Sequence, residues 1–222
     1  MCLSIPLVLM ITSARRSANN AGPSPRKRGT LDQVLVETAM DLFASYGYRG
    51  TSLARIARAA GVTKGALYWH FTDKEEFFLA VVDKVLGEWN KAFARKPATT
   101  PAEFRAEFLS IFETNAELNQ KNPWVSRLLL IITLESHKIG PRVLRAMRKA
   151  NNDQLAHLRR VVERGKALGV FKPALEVKWA ATQMWTASLG LALLWYLHGS
   201  RFEFHDSLRR QAREFLKDWS AA

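Results

Sequence analysis

The sequence predicts an all-α fold of about nine helices. Helix start and stop signals recur along the chain, apolar residues repeat at three- and four-residue spacing, and strand-like alternation is nearly absent. Thr30 and Gln33 form a capping box ahead of Leu31, Leu35, Ala39, Leu42, Phe43 and Tyr46, and Gly47 closes that helix. Thr51 or Ser52 opens a short helix through Leu53, Ile56, Ala57 and Ala60. Gly61 supplies a left-handed residue for a sharp turn, Val62 plugs the corner, and Thr63 caps a second short helix reaching about His70. Asp73 with Glu76 is a further capping box, and the helix it starts carries Phe78, Val82, Val85, Trp89 and Phe93 on one stripe.

After a break at Pro97 to Pro101, Thr100, Pro101 and Glu103 combine an N-cap, a first-turn proline and a box glutamate. They lead into Phe104, Phe108, Ile111, Phe112, Asn115 and Leu118. Asn122 and Pro123 start the next helix, Trp124 to about His137. Gly140 and Pro141 precede a long one bearing Leu144, Met147, Leu155, Leu158, Val162 and Leu168, stopped by Gly169. Pro173 opens an uncharged helix to His198, and Phe204, Leu208, Ala212, Phe215 and Trp219 line up on the last.

Composition bounds the function. At 222 residues, 48% hydrophobic and 24% charged, the chain is long enough for a real core. Its 33 Lys and Arg against 20 Asp and Glu leave a formal charge of +13, which favours a polyanionic partner, nucleic acid or an acidic membrane surface. Cys2 is the one cysteine, so neither an internal disulfide nor a thiolate zinc site is available, and a cytoplasmic location is expected. The histidines show no zinc-binding spacing, no glycine loop cradles phosphate, and no activated nucleophile stands out. No enzyme activity, metal or cofactor is expected. Met1 to Thr12 is apolar but lacks the basic start of a secretory signal. Trp179 to Leu197 is uncharged yet diluted by Thr182, Gln183, Thr186, Ser188 and Gly190, which suits a helix between helices better than one in lipid. No membrane partner is expected, and a membrane-associated helical protein is the competing class. The organisation reads as a disordered basic extension over 1–29, a helix-turn-helix domain over 30–75, and a larger helical domain over 76–222.

The two short helices around Gly61 follow the logic of a helix-turn-helix whose second helix enters the major groove. Lys64 reaches a guanine edge or a phosphate, and Gly65 lets the backbone approach DNA. Thr51 and Thr63, at helix starts, present hydroxyls and free N–H groups to phosphates. Leu67 and Phe71 face the core, leaving Tyr68, Trp69 and His70 outward to pack on sugars and reach phosphates, with Lys74 adding a phosphate contact.

The stretch Thr30 to Val82, above all TSLARIARAAGVTKGALYWHFTDKEEFF, resembles the N-terminal domain of tetracycline-repressor (TetR) family regulators, in particular multidrug-efflux repressors with their YWHF run. The resemblance implies a homodimer: three N-terminal helices bind double-stranded DNA, a fourth links to a ligand-sensing domain, and the last two helices pair with their counterparts. Carried over by position, the DNA contacts fall on Thr51, Thr63, Lys64, Gly65, Tyr68, Trp69, His70 and Lys74. Two-fold symmetry then asks for a palindromic operator. A small apolar or aromatic effector would release the repressor by favouring a state that does not fit DNA. A regulator without small-molecule sensing, an activator or one acting through a protein partner, remains the alternative. Candidate ligand-binding residues are Phe108, Phe112, Asn115, Trp124, Leu128, Met147, Asn151, Gln183 and Met184, a mainly apolar set with few polar groups. Leu191 and Phe215 are the positions expected to hold the dimer.

Overall fold

The computed structural model describes residues 25–121, 123–198 and 202–221, with side chains from Gln33 onward apart from 123–126. Among the described residues the elements are α1 (Pro25–Gly50), α2 (Leu53–Ala59), α3 (Lys64–His70), α4 (Lys74–Phe93), α5 (Pro101–Lys121), α6 (Pro123–Ile139), α7 (Pro141–Ala167), α8 (Val177–His198) and α9 (Phe204–Trp219). None of them is a strand; the nearest to sheet is one antiparallel bridge, Phe171 to Ser220. The expected extension over 1–29 lies outside the described residues up to residue 24. From Pro25 the chain is already helical, five residues ahead of the predicted cap Thr30. No helix among the described residues is long and apolar enough to cross a membrane.

The chain divides into two compact units. The first takes residues up to Lys91 together with His137–Val143. Leu35, Ala39 and Phe43 of α1, Ile56 of α2, Leu67 of α3, and Val82 and Val85 of α4 are fully buried as expected, and Phe77 and Val81, outside the expected α4 stripe, are fully buried beside them. Phe43 meets Phe78 edge-on at 4.7 Å between ring centroids, and Phe71 meets Phe77 likewise at 4.7 Å. These rings lock α1 and the end of α3 onto the start of α4, an arrangement worth about 0.5–1.5 kcal/mol per pair beyond area burial. α1 breaks at Gly47, whose φ of 67° only glycine adopts cheaply.

The second unit, Ala92–Ser136 with Leu144–Ala222, has its own aromatic core. Phe104, Phe108 and Phe112 of α5 pack with Phe171, Trp219 and Phe215 at centroid distances of 5.2 to 6.2 Å. A Cβ on Gly165 of α7 would overlap the Phe104 and Phe171 rings, so glycine is what lets α7 approach them. The α5 box forms as predicted, with Thr100 N–H donating to Glu103 at 3.2 Å and Glu103 N–H to Thr100 Oγ1 at 3.3 Å. Two backbone bonds, Lys172 N–H to Trp219 O and Ala221 N–H to Val170 O, both 2.9 Å, tie the chain end beside Phe171. α8 starts at Val177 rather than at Pro173, because the Glu176 carboxylate takes the first free N–H groups, those of Lys178 and Trp179.

Candidate nucleic-acid interface

The geometry of the first unit is set by its caps. Ser52, not Thr51, caps α2: its Oγ accepts Arg55 N–H at 3.1 Å. At the other end of α2, Gly61 (φ 68°) turns the chain, and Val62 N–H closes back on Ala57 O at 2.9 Å. Thr63 Oγ1 then accepts Ala66 N–H at 3.1 Å and starts α3. Phe71, in extended conformation, ends it. Asp73 accepts Glu76 N–H at 2.7 Å to start α4, while Glu76 reaches back to Thr72 N–H at 2.8 Å. The Asp73 carboxyl is held below its usual value, first by that backbone N–H and then by Arg142.

Leu67 is fully buried and Phe71 is 9% exposed, so α3 has one inward edge. Its outer face carries Lys64 and Gly65, both exposed, and Tyr68 and Trp69, each 46% exposed. Lys64 Nζ stands 5.5 Å from the Tyr68 ring centroid. His70 is half-buried, its ring 4.9 Å from that of Trp69 in an edge-to-face contact. Gly65 has no internal reason to be glycine. Its φ is not left-handed, and a Cβ there would meet nothing nearer than Thr63 Oγ1 at 4.0 Å. A glycine costs a helix interior about 0.5–1 kcal/mol against alanine, so the open ground it leaves faces outward at a cost to the helix.

Beside this face lies a cleft of about 480 Å³ bordered by Arg49, Ser52, Lys64, Tyr68, Thr72 and Lys74. Three cations and several hydroxyls around an open cleft match what a polynucleotide backbone requires. Arg49 was not singled out from the sequence; it follows the helix-closing Gly47 by two residues, and only the fold brings it opposite Lys64.

Two expectations need correction. Thr51 is fully buried, and its Oγ1 donates to Leu42 O at 3.1 Å, so its hydroxyl fastens α1 to the turn and is not offered to a phosphate. Lys74 is turned back on the chain: its ammonium donates to Tyr48 O and sits 4.1 Å from the Tyr48 ring centroid. Burial pushes its pKa down, and part of its donor capacity is already spent.

The sequence profile of the bacterial regulatory proteins of the tetR family matches residues 35–81, which hold the later part of α1, all of α2 and α3 and the first turns of α4. Over that stretch the chain is similar to the tetR family of bacterial regulatory proteins. Among curated tetR-like relatives, the HTH-type transcriptional regulator AcrR of Shigella flexneri is 52% identical over 46 residues, 21% of each chain. The chain spans about half or less of the length of the curated relatives it matches. A solved tetR-family regulator from Cytophaga hutchinsonii superposes with a TM-score of 0.73 at 20% identity, covering 91% of this chain and all of that one. The structure of a SmeT–triclosan complex gives a TM-score of 0.68 at 21% identity, covering 86% and 92%. These two likenesses show the tetR-type fold over most of the length.

The residues expected to bind a ligand differ in burial. Phe108, Phe112 and Met184 are buried in the aromatic core of the second unit. Leu128 is 1% exposed, and Met147 and Gln183 are half-buried. Asn151 is exposed, where its Oδ1 accepts Trp185 Nε1–H at 2.7 Å. The Trp124 side chain lies outside the described residues. Asn115 is the one whose polarity stays notable. It is 8% exposed and paired with Asn119, whose Nδ2 donates to Asn115 O and Oδ1, both at 2.8 Å. Sequence reading passed over Asn119, although its four-residue spacing from Asn115 was the available signal.

Proposed function

We propose that this protein is a homodimeric transcriptional repressor that binds a palindromic operator and is released by a small apolar or aromatic effector. The outward face of α3 carries the reading. Lys64, Gly65, Tyr68 and Trp69 stand exposed on a short helix whose inner edge is fully packed, beside a cationic cleft. In this role α3 enters the major groove, Lys64 reads a base edge, and Arg49 holds a flanking phosphate. Thr63 contributes through the N–H groups of the first α3 turn, and His70 through its ring edge.

The dimer rests on α8 and α9. Trp179, Leu193, Leu194, Tyr196 and Leu197 are 41 to 63% exposed on α8, an apolar surface that a second copy would cover. Leu191 and Phe215 are not the residues to test, because both pack on the chain's own core. Effector sensing is supported by the SmeT–triclosan neighbour and by the buried Asn115–Asn119 pair, where Asn119 Oδ1 has no partner among the described residues. An effector with one N–H or O–H donor would satisfy it.

Selection of bound duplexes from a random pool, followed by binding of Lys64→Ala and Arg49→Ala, tests the reading. Lys64→Ala is expected to weaken binding by about 1–3 kcal/mol and to relax preference at one position per half-site. Arg49→Ala is expected to weaken all sequences alike and to lower the salt slope by about one phosphate. A wild-type protein that enriches no sequence would overturn it.

A further inference from the structure

The compact unit that carries α3 includes a segment remote in sequence: His137–Val143, the end of α6 and the start of α7. Arg142 ties it to the start of α4. Arg142 N–H donates to Glu75 Oε1 at 3.0 Å and Arg142 Nε to Glu75 Oε2 at 2.8 Å, while Nη2 donates to both Asp73 oxygens at 2.8 Å. Glu75 is mostly shielded, its side chain 19% exposed, against 39% for Arg142 and 50% for Asp73. The two carboxylates hold the guanidinium above its usual pKa, through the hydrogen bonds to Glu75 and then to Asp73. A second feature points to the same junction. A Cβ at Gly140 would overlap the Glu75 carboxylate, so any side chain there would push that carboxylate from the position in which Arg142 holds it.

Asp73 and Glu75 are not arbitrary acids. Asp73 caps α4, and α4 begins directly after Phe71 closes α3. A seven-residue helix is marginal by itself, so the setting of α3 depends on what fixes its ends. Asp73 also borders the cationic cleft, where an unmatched carboxylate would repel phosphate.

We propose that Arg142, 67 residues beyond Glu75, is a positioning residue for DNA binding, locking the first turn of α4 and thereby the seat of α3 without touching DNA. The inference rests on the DNA-binding reading above, and the experiment separates the two. Arg142→Gln, Arg142→Lys and Glu75→Gln are compared with wild type by binding to the selected duplex over a range of salt, and by amide hydrogen exchange of residues 64–76 in the free protein. Arg142→Gln is expected to weaken binding about three- to tenfold with the salt slope unchanged, and to speed exchange in α3. Arg142→Lys, which keeps the charge but loses the fork, is expected to fall between, and Glu75→Gln to reproduce part of the loss should Arg142→Gln fold poorly. Unchanged binding and exchange in Arg142→Gln would overturn the proposal, as would a salt slope reduced by about one, which would make Arg142 a phosphate ligand. Wild type binding no duplex would instead sink the DNA-binding reading, with the exchange measurement still deciding whether the clamp holds α3.

Discussion

Gly65→Ala is the substitution whose two effects must have opposite signs. Inside the protein the added methyl meets nothing nearer than 4.0 Å, and the backbone there is not left-handed, so no strain opposes it. Replacing glycine by alanine in a helix gains about 0.5–1 kcal/mol, and at the second residue of α3 the lower end applies. For a chain of this size that raises the melting temperature by about 1–2 °C. Against DNA the same methyl stands where the backbone is to approach closely, and losing one close contact costs about 1–3 kcal/mol. Thermal melting by circular dichroism and binding to the selected duplex at one fixed salt concentration read the two effects. A more stable protein with weakened binding is expected. Raised stability with undiminished affinity would refute the reasoning, since the empty ground at Gly65 would then face solvent alone.

Thr51→Val keeps the shape and removes the bond to Leu42 O; a loss of about 1 kcal/mol in urea unfolding with the salt slope of DNA binding intact is expected, and a lowered slope would restore Thr51 to the phosphate contacts. Leu194→Asp or Leu197→Asp puts a charge on the exposed α8 face, and light scattering should find monomer while the near-ultraviolet signal of the aromatic core persists. A stable dimer would remove α8 from the interface. His157 is desolvated by burial, with Arg160 and Arg164 adding to the effect, so its folded pKa lies below 6.5. Its stabilising share is therefore complete above pH 6.5 and is lost as pH falls through the folded value. Urea midpoints of His157→Gln should fall less than those of wild type over that window.

What was legible in the sequence was local chemistry. The Asp73–Glu76 and Thr100–Glu103 boxes, the cap at Thr63 and the left-handed Gly47 and Gly61 depend on residues within four positions, and all form. Which way α3 faces was legible too, because Leu67 and Phe71 are one turn apart. Thr51 was misread because adjacent Thr and Ser are equivalent as caps in a linear pattern, and only α1 packing across the turn decides which hydroxyl turns inward. Arg49, the reversal of Lys74 onto Tyr48, and the Arg142 clamp all join residues through tertiary structure, where spacing carries no signal. For the ligand candidates spacing is silent in the same way: phenylalanines at helical spacing look the same whether they line a cavity or fill one, and Phe108 and Phe112 pack on each other and, through Phe108, on Phe171.

A reading helix this short cannot supply its own rigidity. α3 has seven residues, only Leu67 is fully buried within it, and four of its remaining side-chain positions are turned outward. Helix nucleation is unfavourable, so order must be imposed from outside: by Thr63 at its start, by Gly61 and Val62 at the corner, and by Phe71 packed on Phe77 at its end. The last of those supports, Phe71 on Phe77, is seated directly on the start of α4. Residues that meet DNA are therefore separable from residues that make the meeting possible, and the two groups differ in how they respond to salt. Loss of a contact residue changes the number of phosphates neutralised; loss of a support leaves that number alone and lowers affinity through the population of the competent conformation.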